Sequence, residues 1–256
     1  MKYDNISIDG KVVFFEEGHV YKLLADDEFK FTSVTTIIKK YYEEFDDTSI
    51  KAKRAANEGT ILHTYGEDLL NGKDVKAPAL TKARLVPVAV NAIYENLGYE
   101  LAKTELLVYN EVLKLAGQAD IVLKKKWGTD EAYSYAIYDW KFLSKRIEKK
   151  SYYNPYTRNY KKMSGPFKHL MDCNWIHYSI QLAIYQTMTG DPSRVKEKVL
   201  VIVHDDKYEF VPCYPMRILW DSNNELQAVY EIYNGKVYDS RVDKLLPTWP
   251  KDIKGK

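Results

Sequence analysis

Cysteine is nearly absent. The 256 residues hold only Cys173 and Cys213, too few for a zinc or iron–sulfur cluster built on four thiolates and too few for a disulfide framework. Long apolar runs are missing as well, and nothing approaches the roughly 20 apolar residues of a membrane helix. Met1–Asn5 carries no signal-peptide core, so the expectation is a cytoplasmic protein with no membrane contact, phage- or bacterium-like in its setting. There is no internal repeat and no low-complexity linker. Overall charge is small too, +2 from 38 basic and 36 acidic side chains.

What is present is a normal globular composition. Hydrophobic residues make up 45%, enough for a full core at this length. The chain reads as a single domain over 1–256. Tyrosine is abundant, with 22 residues; tyrosines serve cores, interfaces and base stacking alike, so the number alone decides nothing. The charge is unevenly spread. From Lys141 to Leu170 there are nine Lys or Arg and one acid, Glu148. The remainder is therefore mildly acidic, and the asymmetry points to a polyanionic partner.

Along the chain, Val12–Phe15 and His19–Leu24 predict a short hairpin, with Ala25–Glu28 as a turn. Ser33 can cap a helix from Val34 to Tyr42. A second helix is expected from Thr48–Ser49 to a stop at Asn71–Gly72, with a bend near Gly59. Leu80–Leu97 reads as a helix broken or started at Pro87, and Glu100–Tyr109 as a strand. Asn174–Thr189 is helical in pattern. Lys198–Val203 and Tyr208–Cys213 read as paired strands, and Pro215–Tyr233 as an amphipathic helix. The tail from Asn234 has no clear pattern. The expected fold class is α/β, a central mixed β-sheet flanked by helices.

One stretch carries chemistry. Asp120 follows Gly117-Gln118-Ala119 and opens the strand-like run Ile121-Val122-Leu123. Asp139-Trp140-Lys141 closes a second such run, and the polar stretch Lys124–Glu131 between them reads as a hairpin turn. Residues i and i+2 of a strand share a face, so Asp139 and Lys141 point the same way, and Asp120 on the neighbouring strand can join them. Two close carboxylates want a cation, and oxygen-rich sites suit magnesium or manganese, as one or two ions. An adjacent lysine can orient or deprotonate water, which equips the trio for metal-assisted phosphodiester hydrolysis. The spacing also fits a surface hairpin with ordinary charges.

Gly-x-x-Asp on one strand followed by Asp-Trp-Lys on the next resembles the PD-(D/E)XK nuclease superfamily, and more narrowly its RecB-like exonuclease branch of phage and mitochondrial genome-maintenance type, without an iron–sulfur cluster. Gly59-Thr60-Ile61-Leu62-His63 is similar to that branch's helical G-T-x-x-H motif, Glu105 to its acidic position ahead of G-x-x-D, Gln181–Tyr185 to its Q-x-x-x-Y helix, and Ser33–Thr36 to its S-V-T opening. Ala119 stands where the name-giving proline would be. The resemblance implies a restriction-endonuclease-like core. It implies Asp120, Asp139, the Trp140 carbonyl and His63 as metal ligands. Lys141 would position the nucleophilic water and offset charge on the phosphorane, and Gln181 would orient Lys141 or a phosphate, with Tyr185 and Glu105 completing the site. Glu111 and Glu67 are weaker candidates, and His169, His177 and His204 read as structural.

The activity implied is a metal-dependent DNA exonuclease of replication, recombination or repair, acting on single- or double-stranded DNA with departure of the 3′-oxygen, and with a helicase or recombination partner as a possibility the residues leave open. A structure-selective endonuclease and a non-catalytic nucleic-acid-binding protein are the alternatives. An insertion at about 144–172 is basic and Tyr-rich: Lys145, Arg146, Lys149, Lys150, Arg158, Lys161 and Lys162 are interleaved with Tyr152 and Tyr153. It is expected to be a mobile flap that grips the strand.

Overall fold

The computed structural model describes residues 3–42, 49–126, 133–220, 226–230, 232–233 and 236–237. An N-terminal meander comes first: β1 (Asn5–Ile6), β2 (Val12–Phe15), β3 (Val20–Leu23) and β4 (Asp26–Lys30), antiparallel and paired in that order. The predicted turn at Ala25–Glu28 is tighter than expected, because β4 already begins at Asp26. β5 (Thr32–Ser33) leads into α1 (Val34–Ile38), whose Ser33 hydroxyl accepts the Thr36 N–H at 3.1 Å. A 3-10 turn, Lys39–Tyr41, replaces the last part of the predicted helix.

α2 (Ile50–Leu70) runs unbroken through Gly59, capped by the Ser49 hydroxyl. α3 (Val86–Leu97) has Pro87 in its first turn, where the missing N–H costs nothing, and stops at Gly98 with φ 57°. Then come β6 (Glu100–Asn110), β7 (Leu115–Lys126) and β8 (Tyr133–Phe142), with β7 antiparallel to both neighbours. Of the predicted β7–β8 turn, 127–132 lie outside the described residues. A small hairpin, β9 (Tyr153–Asn154) and β10 (Asn159–Tyr160), precedes α4 (Asn174–Met188). β11 (Val195–Val203) then returns parallel to β8, and β12 (Tyr208–Pro212) pairs antiparallel with β11.

The central sheet has the order β12-β11-β8-β7-β5, with β6 also on β7. It is a mixed sheet in an α/β fold. Both faces are covered, which is why Val199–Val203 is an uninterrupted apolar run. Leu200 and Ile202 pack toward α1 and α4 with Val34, Ile38, Ile180 and Ile184. Val199, Val201 and Val203 pack toward α2 and α3 with Leu62, Val86, Val90 and Ile93. The N-terminal meander sits on the sheet through Val12, Phe14, Tyr21 and Phe31 against Leu107 and Ala116.

Pro215–Tyr233 is not a helix. Met216–Trp220 is β13, antiparallel to β14 (Leu226–Tyr230), while 221–225 and 231 fall outside the described residues. Met216 and Ile218 are buried and Arg217 and Leu219 exposed, the period of two that marks a strand. The carbonyl of Ile218 takes the Thr187 hydroxyl of α4 at 2.8 Å, so packing against α4 fixes a segment too short to settle its own conformation. No helix among the described residues is long and apolar enough to cross a membrane.

Candidate metal centre

One edge of β7 is paired with β6 along its length. The other edge pairs with β5 at Leu115 and Ala116, and with β8 only from Ile121 onward. Gly117–Asp120 lies in the gap between those partners. Gly117 is required there, since a Cβ would stand 2.5 Å from the Tyr185 ring. Beyond the Ile121–Tyr138 pair the strands part, and the Asp120 carboxylate takes the Trp140 backbone N–H at 2.8 Å. Ala119 packs in the α4 cluster and Ile121 in the α2 cluster, so β7 changes its facing across Asp120.

α2 supplies the opposite wall. Gly59, His63 and Glu67 recur every four residues and line a cleft of about 790 Å³ together with Glu105, Trp140 and Lys141. Gly66 lets the helix come close, because a Cβ there would meet the Trp140 indole at 3.1 Å. His63 bridges two acids: its Nε2 is 2.8 Å from Asp120 Oδ2 and its Nδ1 3.4 Å from Glu105 Oε1. Ligand atoms of His63, Glu105 and Asp120 all lie within 4.8 Å of one another. Glu105 has φ 47°, a left-handed conformation that costs a β-strand residue energy and persists only where the surroundings enforce it. The Asn5 side chain enforces it, donating to the Glu105 carbonyl at 2.6 Å.

Asp139 lies one strand over. It is buried and ion-paired with the Lys141 ammonium. Lys141 also sits over the Tyr178 ring, 4.6 Å from the centroid. Burial and the Asp120 charge push Glu105 up to about 8 and Asp139 up to about 6, the latter against the pull of Lys141. Burial opposes the charged imidazole, but Asp120 and Glu105 outweigh it and hold His63 at about 9. Burial likewise opposes the Lys141 ammonium, and Asp139 with Asp120 keeps the proton on it, above the usual lysine range. Asp120 is the exception: burial raises it, yet His63 and Lys141 bring it below the ordinary carboxylate value.

This cluster fits a divalent cation. Among the described residues Glu105 Oε1 is buried and accepts no hydrogen bond, with the 3.4 Å ion contact to His63 Nδ1 to offset its burial; a bound cation would satisfy it. Two carboxylates and one imidazole suit magnesium or manganese, the imidazole favouring the softer ion.

No family model matches this chain, and no curated protein matches it.

Of the residues predicted for the site, Asp120, Asp139, Lys141, His63 and Glu105 come together. Glu111 does not; it is exposed in the turn after β6. Glu67 stays on the cleft wall and accepts from the Thr104 hydroxyl at 3.3 Å. The contact seen for the Trp140 backbone is its N–H to Asp120. Gln181 donates to the Tyr185 hydroxyl at 2.9 Å, and the ring against Lys141 belongs to Tyr178, one turn earlier on the same face of α4. Gln181 and Tyr185 instead line a smaller cavity of about 190 Å³ with Asp120, Ser33 and Thr35. Sequence reasoning missed Tyr178 and also the meander's Asn5 and His19, the latter lining both cavities. The spacing of Tyr178 three residues before Gln181 was a usable signal; Asn5 and His19 reach the site by long-range packing and carried none. His177 bonds Asp172 at 2.8 Å and His204 bonds Glu209 at 3.0 Å, structural roles as expected.

The basic insertion is anchored at its base. Ile147, Met163, Phe167 and Leu170 are buried in the α4 core cluster, so the segment expected as a mobile flap has a buried foot and carries a small hairpin. Three of its lysines have partners: Lys149 lies over the Trp175 ring of α4, while Lys161 pairs with Asp172 and Lys162 donates to the His169 carbonyl at the insertion's own foot. Lys145, Arg146, Lys150 and Arg158 are exposed.

Proposed function

We propose that this chain is a metal-dependent deoxyribonuclease of the PD-(D/E)XK type, an exonuclease hydrolysing DNA phosphodiesters in replication, recombination or repair. The observation that carries this reading is the convergence of Asp120, Asp139 and Lys141 with His63 and Glu105 where β7 and β8 part, with His63, Glu105 and Lys141 lining the cleft and Asp139 buried beside Lys141. His63, Glu105 and Asp120 would hold a magnesium or manganese ion, with Asp139 beside them for a second. Bound there, divalent ions supply positive charge to the phosphoryl oxygens and make water a better nucleophile.

The chain's own residues do the rest. Lys141 stays an ammonium beside Asp139, so it acts as a donor that orients the attacking water and stabilises charge on the phosphoryl group. The water oxygen bonds to phosphorus as the P–O3′ bond breaks; the water gives up one proton to solvent and the departing 3′-oxygen takes one up, leaving a 5′-phosphate and a 3′-hydroxyl. Asp120 is held by the Trp140 N–H and His63, which fixes its geometry before the substrate arrives.

The test compares linear with covalently closed circular DNA in magnesium, manganese, calcium and chelator. Degradation of linear DNA alone, with magnesium or manganese, is expected. Calcium, with its looser coordination, should support binding without turnover. Nicking or linearisation of closed circles would assign an endonuclease instead, and full activity after dialysis against chelator would remove the metal mechanism.

A further inference from the structure

The β9–β10 hairpin carries surface that hydrolysis at the carboxylates does not use. Tyr152, Tyr153 and Tyr156 are 71%, 45% and 96% exposed. A tyrosine ring ordinarily buries most of its area, and several exposed together mark a contact surface. The display is built. The Asn154 side chain accepts the N–H groups of Tyr156 and Thr157 at 2.9 and 3.2 Å, closing the turn that presents Tyr156. Tyr153 stands edge-on against Tyr160 with centroids 5.2 Å apart. Below the tip, the Ser151 hydroxyl bonds the Lys161 carbonyl at 2.6 Å and the Lys161 N–H bonds the Tyr152 carbonyl at 3.0 Å.

The stretch that carries the rings is predominantly basic, with nine Lys or Arg against Glu148 alone from Lys141 to Leu170. Aromatic rings among cations suit a ligand with flat apolar faces on an anionic backbone. In duplex DNA those faces are already stacked and turned inward, whereas in a single strand they are open to a ring from outside.

We propose that the hairpin tip is a stacking platform for unpaired DNA bases, so that the substrate class is single-stranded DNA or a frayed end rather than intact duplex. This rests on the nuclease reading above and specifies its substrate. The insertion that carries the hairpin begins after Phe142, at the end of the strand that bears Lys141, and Phe142 and Leu143 at its start line the same cleft as Lys141.

The experiment is binding without cleavage. Fluorescence anisotropy in chelator compares a labelled oligothymidine with a duplex of equal length, for the wild-type chain and for Tyr152→Ala, Tyr153→Ala and Tyr156→Ala combined. Single-strand affinity should fall about tenfold or more while duplex affinity stays within about threefold. The three Phe substitutions together should restore it, because Phe keeps the ring face. Equal losses on both substrates, or none on either, would overturn the platform. In the unmodified protein, photocrosslinking to a bromodeoxyuridine oligonucleotide should label the tip tyrosines, and labelling confined to other surfaces would also overturn it. The nuclease reading fails separately, if the wild-type chain binds single strands in this way yet cleaves nothing when magnesium or manganese is added.

Discussion

The carboxylate cluster and the hairpin tip both gather polar and charged side chains, but under opposite constraints. At the cluster, a neighbouring strand, the N-terminal meander and α4 each fix one group: Trp140 holds Asp120, Asn5 holds the Glu105 backbone, and Tyr178 faces Lys141. Burial there drives pKa values apart, and every side chain is oriented before any ligand arrives. At the tip, two-residue strands carry rings into solvent. A reaction that depends on distances needs the first kind of region, because a displacement of an ångström is costly. Gripping a strand of any sequence needs the second, in which contact area and charge matter more than exact placement. The comparison can be broken by showing that either region behaves like the other.

The largest effect belongs to the cluster. Asp120→Ala, Asp139→Ala and Lys141→Ala should each lower turnover by about 100-fold or more, and a double variant should be little worse than a single one, because the groups act as a unit. Single-strand binding in chelator should survive in all three. A Lys141→Ala chain that cleaves near the wild-type rate would show that the ammonium does not orient the water.

Next comes proton linkage, measured as melting temperature of the metal-free chain from pH 5 to 9. Glu105 at about 8, against an ordinary 4.5, and Asp139 at about 6, against 3.8, hold protons in the folded state that the unfolded chain has lost. His63 at about 9, against 6.5, does the same. Each contribution is fully present below the unfolded pKa and is lost as pH rises through the folded one, so stability should fall across this window. A metal ion replaces those protons, so the stabilisation by magnesium or manganese should be greater at pH 8 than at pH 6. His63→Ala should flatten the slope between pH 6.5 and 9. A metal-induced shift that is independent of pH would place the ion elsewhere.

How much of this was legible in the sequence follows from the range of the forces involved. Asp120, Asp139 and Lys141 were readable because they ride on the two-residue period of adjacent strands. His63 and Glu105 were found through spacing that resembles a nuclease branch, and the structure brings both to Asp120. Asn5 was not readable, since its bond to Glu105 spans 100 residues and only the docking of the meander creates it. Met216–Trp220 was misread because five apolar and basic residues satisfy either period, and contact with α4 decides between them. The foot of the insertion was not readable because Ile147, Met163, Phe167 and Leu170 follow no period, although all four are buried.

Tyr178 gives a smaller effect that sharpens the boundary of the cluster. A cation over a ring face gains roughly 0.5–2 kcal/mol, enough to fix one rotamer of a flexible lysine. Tyr178→Leu should lower turnover by about tenfold with little change in KM, and Tyr178→Phe should stay near wild type. Equal losses in both variants would indicate a hydroxyl contact with substrate, and no loss in either would indicate that Asp139 alone holds Lys141.

The smallest effect concerns the cations of the insertion, and it separates those that hold the hairpin from those that face solvent. Lys161 and Lys162 are tied to Asp172 and the His169 carbonyl, and Lys149 lies over Trp175. A phosphate contact by one of them must compete with an existing partner. Lys150 and Arg158 are exposed at the hairpin and can meet phosphates at no such cost. For single strands each neutralised phosphate adds about 0.7 to the slope of log affinity against log salt. Lys150→Ala with Arg158→Ala should therefore flatten that slope by about 1.4 units and leave the melting temperature unchanged. Lys161→Ala with Lys162→Ala should lower the melting temperature slightly and barely move the slope. If the second pair flattens the slope as much as the first, the foot of the hairpin rearranges on binding, and the division between a fixed base and a gripping tip fails.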